Sequence, residues 1–162
     1  MSELWDAYDR FFQRIEGQTL IRGKRVPDGV FHLVGEIIVR HRDGSFLLMQ
    51  RDLTKPRGGL WELTAGGSAL KGETPSDCAV RELWEETGIA ADTLTELDRI
   101  VREDDHTLYV EFLCITDCDK TSVRLQKGET AAFRWVSREE LLSMDRSLSA
   151  SPRAWQYIQT KI

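Results

Sequence analysis

GGSALKGETPSDCAVRELWEETGI, residues Gly66 to Ile89, reads as a glycine-rich loop feeding a single helix. Thr74 is a good N-cap, Pro75 suits the first helical position, and Gly88 suits the residue just past the C-terminus. The spacing therefore predicts a helix from Pro75 to Thr87. At about 100° per residue, Val80, Leu83 and Trp84, with Ala79 at the edge, form an apolar arc expected to face the core. Glu82, Glu85 and Glu86 fall on an opposed arc, so three carboxylates converge near the end of the helix where negative charge is least welcome.

Helix energetics do not favour that placement. Glu82 and Glu86 are like charges at i,i+4, costing roughly 0.2–0.5 kcal/mol, and Glu85 and Glu86 each face the macrodipole at roughly 0.3–1 kcal/mol. Arg81, four residues before Glu85, offsets only part of this. An ordinary solvated acidic face is one reading. The other is a site, because a local rule broken without compensation is where function is expected. A hard divalent cation would supply the compensation, since Mg²⁺ binds carboxylates while keeping waters and taking phosphate oxygens. The preceding loop, GGSALKGE, lets backbone approach the acidic face closely.

In full, the pattern is Gly67, five residues, Glu73, seven residues, then Arg81, Glu82, Leu83, Trp84, Glu85, Glu86, Thr87, Gly88 and Ile89. This resembles the complete signature of the Nudix superfamily, GX5EX7REUXEEXGU with U aliphatic. Nine matched positions arise by chance in a chain of this length about once in 10⁷. The flanks PRGGLWELTAGG and FRWVSREEL are also similar to that family, extending the resemblance over roughly Val30 to Leu142. The resemblance implies an α/β fold, the Nudix α/β/α sandwich around a mixed β-sheet, and Mg²⁺- or Mn²⁺-dependent hydrolysis of a small-molecule diphosphate. It implies that Glu82, Glu85 and Glu86 bind metal with the Gly67 carbonyl, that Arg81 and Glu73 orient the cluster, and that one carboxylate is the general base. Glu86 is one candidate for the base; Glu129, six residues before Trp135, resembles an external base used by some members.

ELWDAYD, FHLVGEIIV and GLWELTAGGSALKGE look most like the isopentenyl-diphosphate isomerase-like branch, which raises a rival from another reaction class. That isomerase uses a cysteine just before its box and a downstream ENE-like glutamate segment. Here LTAGGSA has no cysteine and REDDHTLYVEFLC has no such triplet, so hydrolysis is the expectation. A non-catalytic ligand sensor on the same fold is the remaining alternative, against which the intact acidic cluster argues.

The rest of the chain sets bounds. With 162 residues, 41% of them hydrophobic, one core is expected. The segment RGKRVPDG separates an N-terminal extension, residues 1–29, from a hydrolase domain, residues 30–162; the extension would serve as a substrate lid or a homodimer contact. A net charge of −5 with interspersed signs lacks the basic footprint of a nucleic-acid or anionic-membrane binder. Three cysteines, Cys78, Cys114 and Cys118, form no CxxC pair, suggesting reduced thiols, and no apolar run reaches spanning length; a cytoplasmic protein is expected. Asp43-Gly44 marks a hairpin, LWELTAG a strand, HTLYVEFLCIT and AAFRWV two more, and SREELLSM and SPRAWQYIQTKI two capped helices. Arg51, Lys55 and Arg57 are candidate phosphate contacts and Trp61 a candidate stacking surface for a base.

Overall fold

The computed structural model describes residues 1–91 and 93–162. An N-terminal hairpin of β1 (Leu4–Tyr8) and β2 (Arg14–Ile21) precedes a mixed sheet built from β3 (His32–His41), β4 (Phe46–Arg51), β5 (Trp61–Glu62), β6 (Thr64–Ser68), β7 (Thr93–Arg102), β8 (Thr107–Thr116) and β9 (Thr130–Val136). Helix α1 (Pro75–Thr87) follows β6, while α2 (Arg138–Ser143) and α3 (Pro152–Thr160) close the chain.

The sheet is organised by how β3 and β4 separate. They form the expected hairpin, with Gly44 at φ 96°, a conformation that favours glycine. Their register holds only the pair Arg40–Phe46. Beyond it the strands part: β6 runs antiparallel along β3 from Val34–Ser68 to Ile38–Thr64, while β5 and β9 flank β4. On its other edge β3 pairs in parallel with all of β8, and β7 completes that side. LWELTAG is therefore two strands rather than one, because its halves serve the two diverging edges. Strand β7 has no matching expectation from sequence, because Thr93, Thr95 and Glu96 are exposed, as an edge strand permits, and leave no clear apolar alternation.

Side-chain alternation sorts the core into two layers. Ile37, Val39, Leu47 and Met49 pack with Cys78, Ala79 and Leu83 of α1. Ile38, Phe46 and Leu48 pack with Leu141 of α2 and Trp155, Tyr157 and Ile158 of α3. This is the α/β/α sandwich expected.

Helix α1 has the predicted ends. Thr74 and Asp77 form a capping box and Gly88 adopts the left-handed cap at φ 72°. Its buried face differs from the one expected: Cys78, Ala79, Leu83 and Thr87 are buried, whereas Val80 and Trp84 are exposed. The cause is the glycine surface beneath it. A Cβ on Gly35 would sit 3.3 Å from Cys78 Sγ and 3.4 Å from the Ala79 nitrogen, so the helix lies close and presents its small residues. That rotation turns Glu82 and Glu86 towards the sheet; Trp84 is covered by the Arg124 guanidinium, 4.8 Å from the ring centroid. Ser137 caps α2 through the predicted box with Glu140. Ser151 occupies the N-cap position of α3, but its side chain makes no capping bond.

Candidate active site

Where the sheet divides, both halves and α1 border a cleft of about 370 Å³. Glu36 of β3, Arg51 of β4, Glu62 of β5, Gly66 and Gly67 of β6, and Arg81, Glu82, Glu85 and Glu86 of α1 line it, together with Glu3, Arg22, Lys55 and Glu129. Seven carboxylates thus face four cations.

Arg81 organises the helix side. Its Nε and Nη2 donate to the two Glu73 oxygens at 2.6 and 3.0 Å, Nη2 also to the Ser68 carbonyl at 3.1 Å, and Nη1 to Glu82 Oε1 at 2.7 Å and Glu85 Oε2 at 3.4 Å. This fork joins loop, β6 and helix through one guanidinium. Burial would push the Glu73 carboxyl up, but bonds from Arg81 and the Leu70 amide outweigh it and hold the group below its usual range.

Glu82 and Glu86 are raised, both chiefly by burial. For Glu82, Arg81 opposes the shift; for Glu86, Glu62 and Glu82 add to it and the carboxyl is pushed up to about 8. Without a cation, then, burial in the cleft works against ionisation of both carboxyls.

The donor set fits a hard divalent cation on three grounds. Carboxylate and carbonyl oxygens are its preferred ligands. The lining carries an excess of negative charge. Gly67 also leaves open a space that a Cβ would fill, at 2.5 Å from Glu82 Oε1. Among the described residues no three Asp, Glu, His or Cys side chains chelate by themselves, because Arg81 draws Glu82 and Glu85 to itself; a cation here would complete its shell with carbonyl, water and phosphate oxygens.

Of the residues singled out from sequence, Arg51, Lys55, Gly67, Arg81, Glu82, Glu85, Glu86 and Glu129 meet in this cleft. Lys55 pairs with Glu129, and Arg51 Nη1 with Glu62 Oε1 at 2.6 Å. Arg57 and Trp61 do not belong to it. Arg57 adopts φ 59° and donates to the Ala150 carbonyl at 3.0 Å in a neighbouring cleft of about 350 Å³, and Trp61 packs against the α3-side core beneath Arg134. The tight turn after β4 carries both away. Glu36 and Glu62 were missed, because each is a lone acid in an apolar strand and only pairing brings them to the cleft.

The family model for the NUDIX domain matches residues 31–158. This chain belongs to the Nudix hydrolase family. It is 32% identical over 146 residues, 90% of this chain and 86% of the relative, to an uncharacterized Nudix hydrolase of Listeria monocytogenes. It is 36% identical to the CTP pyrophosphohydrolase of Escherichia coli, over 62% of this chain and 73% of that protein. A crystal structure of a Deinococcus radiodurans protein superposes with a TM-score of 0.69 at 16% identity, covering 87% of each chain, which shows the shared fold. Nudix hydrolases act on small-molecule diphosphates. No helix among the described residues of this one is long and apolar enough to cross a membrane.

Proposed function

We propose that this Nudix hydrolase cleaves a phosphoanhydride bond in a nucleoside triphosphate or nucleoside diphosphate derivative, and that it requires Mg²⁺ or Mn²⁺. The observation carrying this reading is the convergence of Glu82, Glu85 and Glu86 with the Gly67 backbone in one polar cleft. The nucleotide class draws support from the CTP pyrophosphohydrolase relative.

In this reading Glu82, Glu85, Glu86 and the Gly67 carbonyl hold the cation. Bound there, it neutralises phosphate charge and lowers the pKa of the attacking water. Arg81 fixes the direction of Glu82 and Glu85 and is itself held by Glu73. Arg51 and Lys55 supply positive charge beside the phosphates. Glu86, within the acidic cluster, and Glu129, on the loop before β9, are the two candidates in this reading for taking the water's proton.

Isomerisation fits the site less well. Cys78 is buried in α1, its Sγ 3.3 Å from the Gly67 carbonyl and its thiol pushed up to about 12, chiefly by burial. Cys114 is buried in β8. Neither lines the cleft. Three free thiols accord with a reducing cytoplasm.

The test is phosphate-coupled turnover with Mg²⁺ or Mn²⁺ against nucleoside triphosphates, nucleotide sugars, ADP-ribose, dinucleotides, coenzyme A and isoprenoid diphosphates, with Glu86→Gln as blank. A metal-dependent rate absent from the blank is expected. Equal rates in wild type and Glu85→Gln/Glu86→Gln would overturn the metal assignment.

A further inference from the structure

Three of the four cleft cations are committed. Arg81 is shared among Glu73, Glu82, Glu85 and a carbonyl, Arg51 is tied to Glu62 and the Pro56 carbonyl, and Lys55 is paired with Glu129. Arg22, the residue following β2, differs. Its side chain is 67% exposed and, among the described residues, meets one partner, Glu3 Oε2, at 3.2 Å. Glu3, partly buried, also accepts from the Trp5 indole Nε1 at 2.6 Å and keeps that partner if Arg22 leaves; a single contact from a solvent-exposed guanidinium holds little free energy, so exchanging the carboxylate for another anion costs little.

The backbone carrying Arg22 is anchored all the same. The Arg22 amide donates to the Glu3 carbonyl at 3.0 Å, and the Lys71 amide to the Leu4 carbonyl at 2.9 Å. The Gly72 amide donates to Asp6 Oδ2 at 2.8 Å, and Lys71 Nζ to Thr19 Oγ1 at 2.7 Å. Trp5 stacks on His32 of β3 with centroids 4.4 Å apart. The hairpin is thereby latched to the loop that enters α1. It lies outside residues 31–158, the span matched by the family model.

We infer that Arg22 binds a phosphate group of the substrate, making the N-terminal hairpin a fixed wall of the active cleft and a determinant of affinity for polyphosphates. On binding, the guanidinium leaves Glu3 for phosphate oxygens, a planar two-point match. The inference rests on the proposed hydrolase reading for its substrate, and its test separates the two.

Binding of inorganic tripolyphosphate with Mg²⁺ is measured by calorimetry for wild type, Arg22→Ala, Arg22→Gln and Glu3→Gln, alongside KM and kcat for the nucleoside triphosphate turned over fastest. Both Arg22 variants should weaken tripolyphosphate binding, and raise KM, by about tenfold with kcat within about twofold of wild type. Glu3→Gln, which breaks the same ion pair but frees Arg22, should not weaken binding. Tripolyphosphate affinity unchanged in both Arg22 variants overturns the inference, as does an equal loss in Glu3→Gln, which would mark the pair as structural, or no binding by wild type. A protein that turns over no panel compound yet loses tripolyphosphate binding with Arg22 refutes the hydrolase reading and leaves this one standing.

Discussion

Glu86 shows at a single residue why the cleft calls for a ligand. Burial beside Glu62 and Glu82 raises its carboxyl to about 8, so at neutral pH the metal-free protein carries a proton there that a divalent cation would displace. Glu86→Gln should abolish turnover, by about 10³-fold or more, while circular dichroism and melting temperature show an intact fold. Glu129→Gln, changing a loop residue paired with Lys55, should cost less, about 10²-fold. The reverse ranking would move the proton acceptor to Glu129. Gly67→Ala tests the same site from the backbone: a Cβ 2.5 Å from the Glu82 carboxylate must push it aside. A Mg²⁺ titration of activity should then need several-fold more metal, and an unchanged titration would detach Gly67 from the cation.

At the scale of the element, α1 matters through its ends and its small buried face. The Thr74–Asp77 capping box satisfies first-turn amides, and Thr74→Ala should lower unfolding free energy by about 1 kcal/mol, read as a shift in urea midpoint at constant m-value. No shift would mean that neighbouring packing alone holds the helix start. The ends of this helix were legible in sequence because capping is local chemistry between residues three apart. Its core face was legible only in part: Leu83 and Ala79 are buried as expected, Val80 and Trp84 are not. Hydrophobicity pointed to Val80 and Trp84 as well as Leu83 and Ala79, but Gly35 of β3 brings the Cys78 and Ala79 side of the helix against the sheet, and that choice lies across a tertiary contact invisible along one strand of sequence.

Across the whole molecule, buried acids couple stability to pH. Glu36, in β3, and Glu111, beside it in β8, share Arg153 of α3, which donates to Glu36 Oε2 at 3.0 Å and to Glu111 Oε1 at 2.7 Å; among the described residues Glu111 Oε2 has no hydrogen-bond partner. Burial is the main cause raising both. In the same sense as the raised Glu36 and Glu111, a carboxyl raised from its ordinary 4.5 to about 8, as at Glu86, makes the folded state bind more protons across that interval. Its stabilisation is therefore complete below about pH 4.5 and lost as pH rises through about 8. Glu73, held low by Arg81, acts in the opposite sense, but only below its ordinary range. The metal-free protein should thus melt at progressively lower temperature from about pH 5 to about pH 8. Glu36→Gln should reduce that slope, and saturating Mg²⁺ should reduce the part due to Glu86; a melting temperature that rises over the interval would refute the assignment. Arg153→Ala, leaving the two acids without their cation, should cost about 2–3 kcal/mol in denaturant unfolding.

Sequence by itself determined the family, the helix with its three glutamates, the Asp43-Gly44 hairpin and the capped α2, because each is written in residues close along the chain. Only the tertiary structure decided which distant residues share the cleft. Parting of β3 from β4 brought in Glu36 and Glu62, the turn after β4 carried Arg57 and Trp61 away, and the latch at Lys71 and Gly72 put Arg22 beside the carboxylates. Such placements depend on strand pairing and backbone contacts between remote segments, whose partners no local pattern specifies.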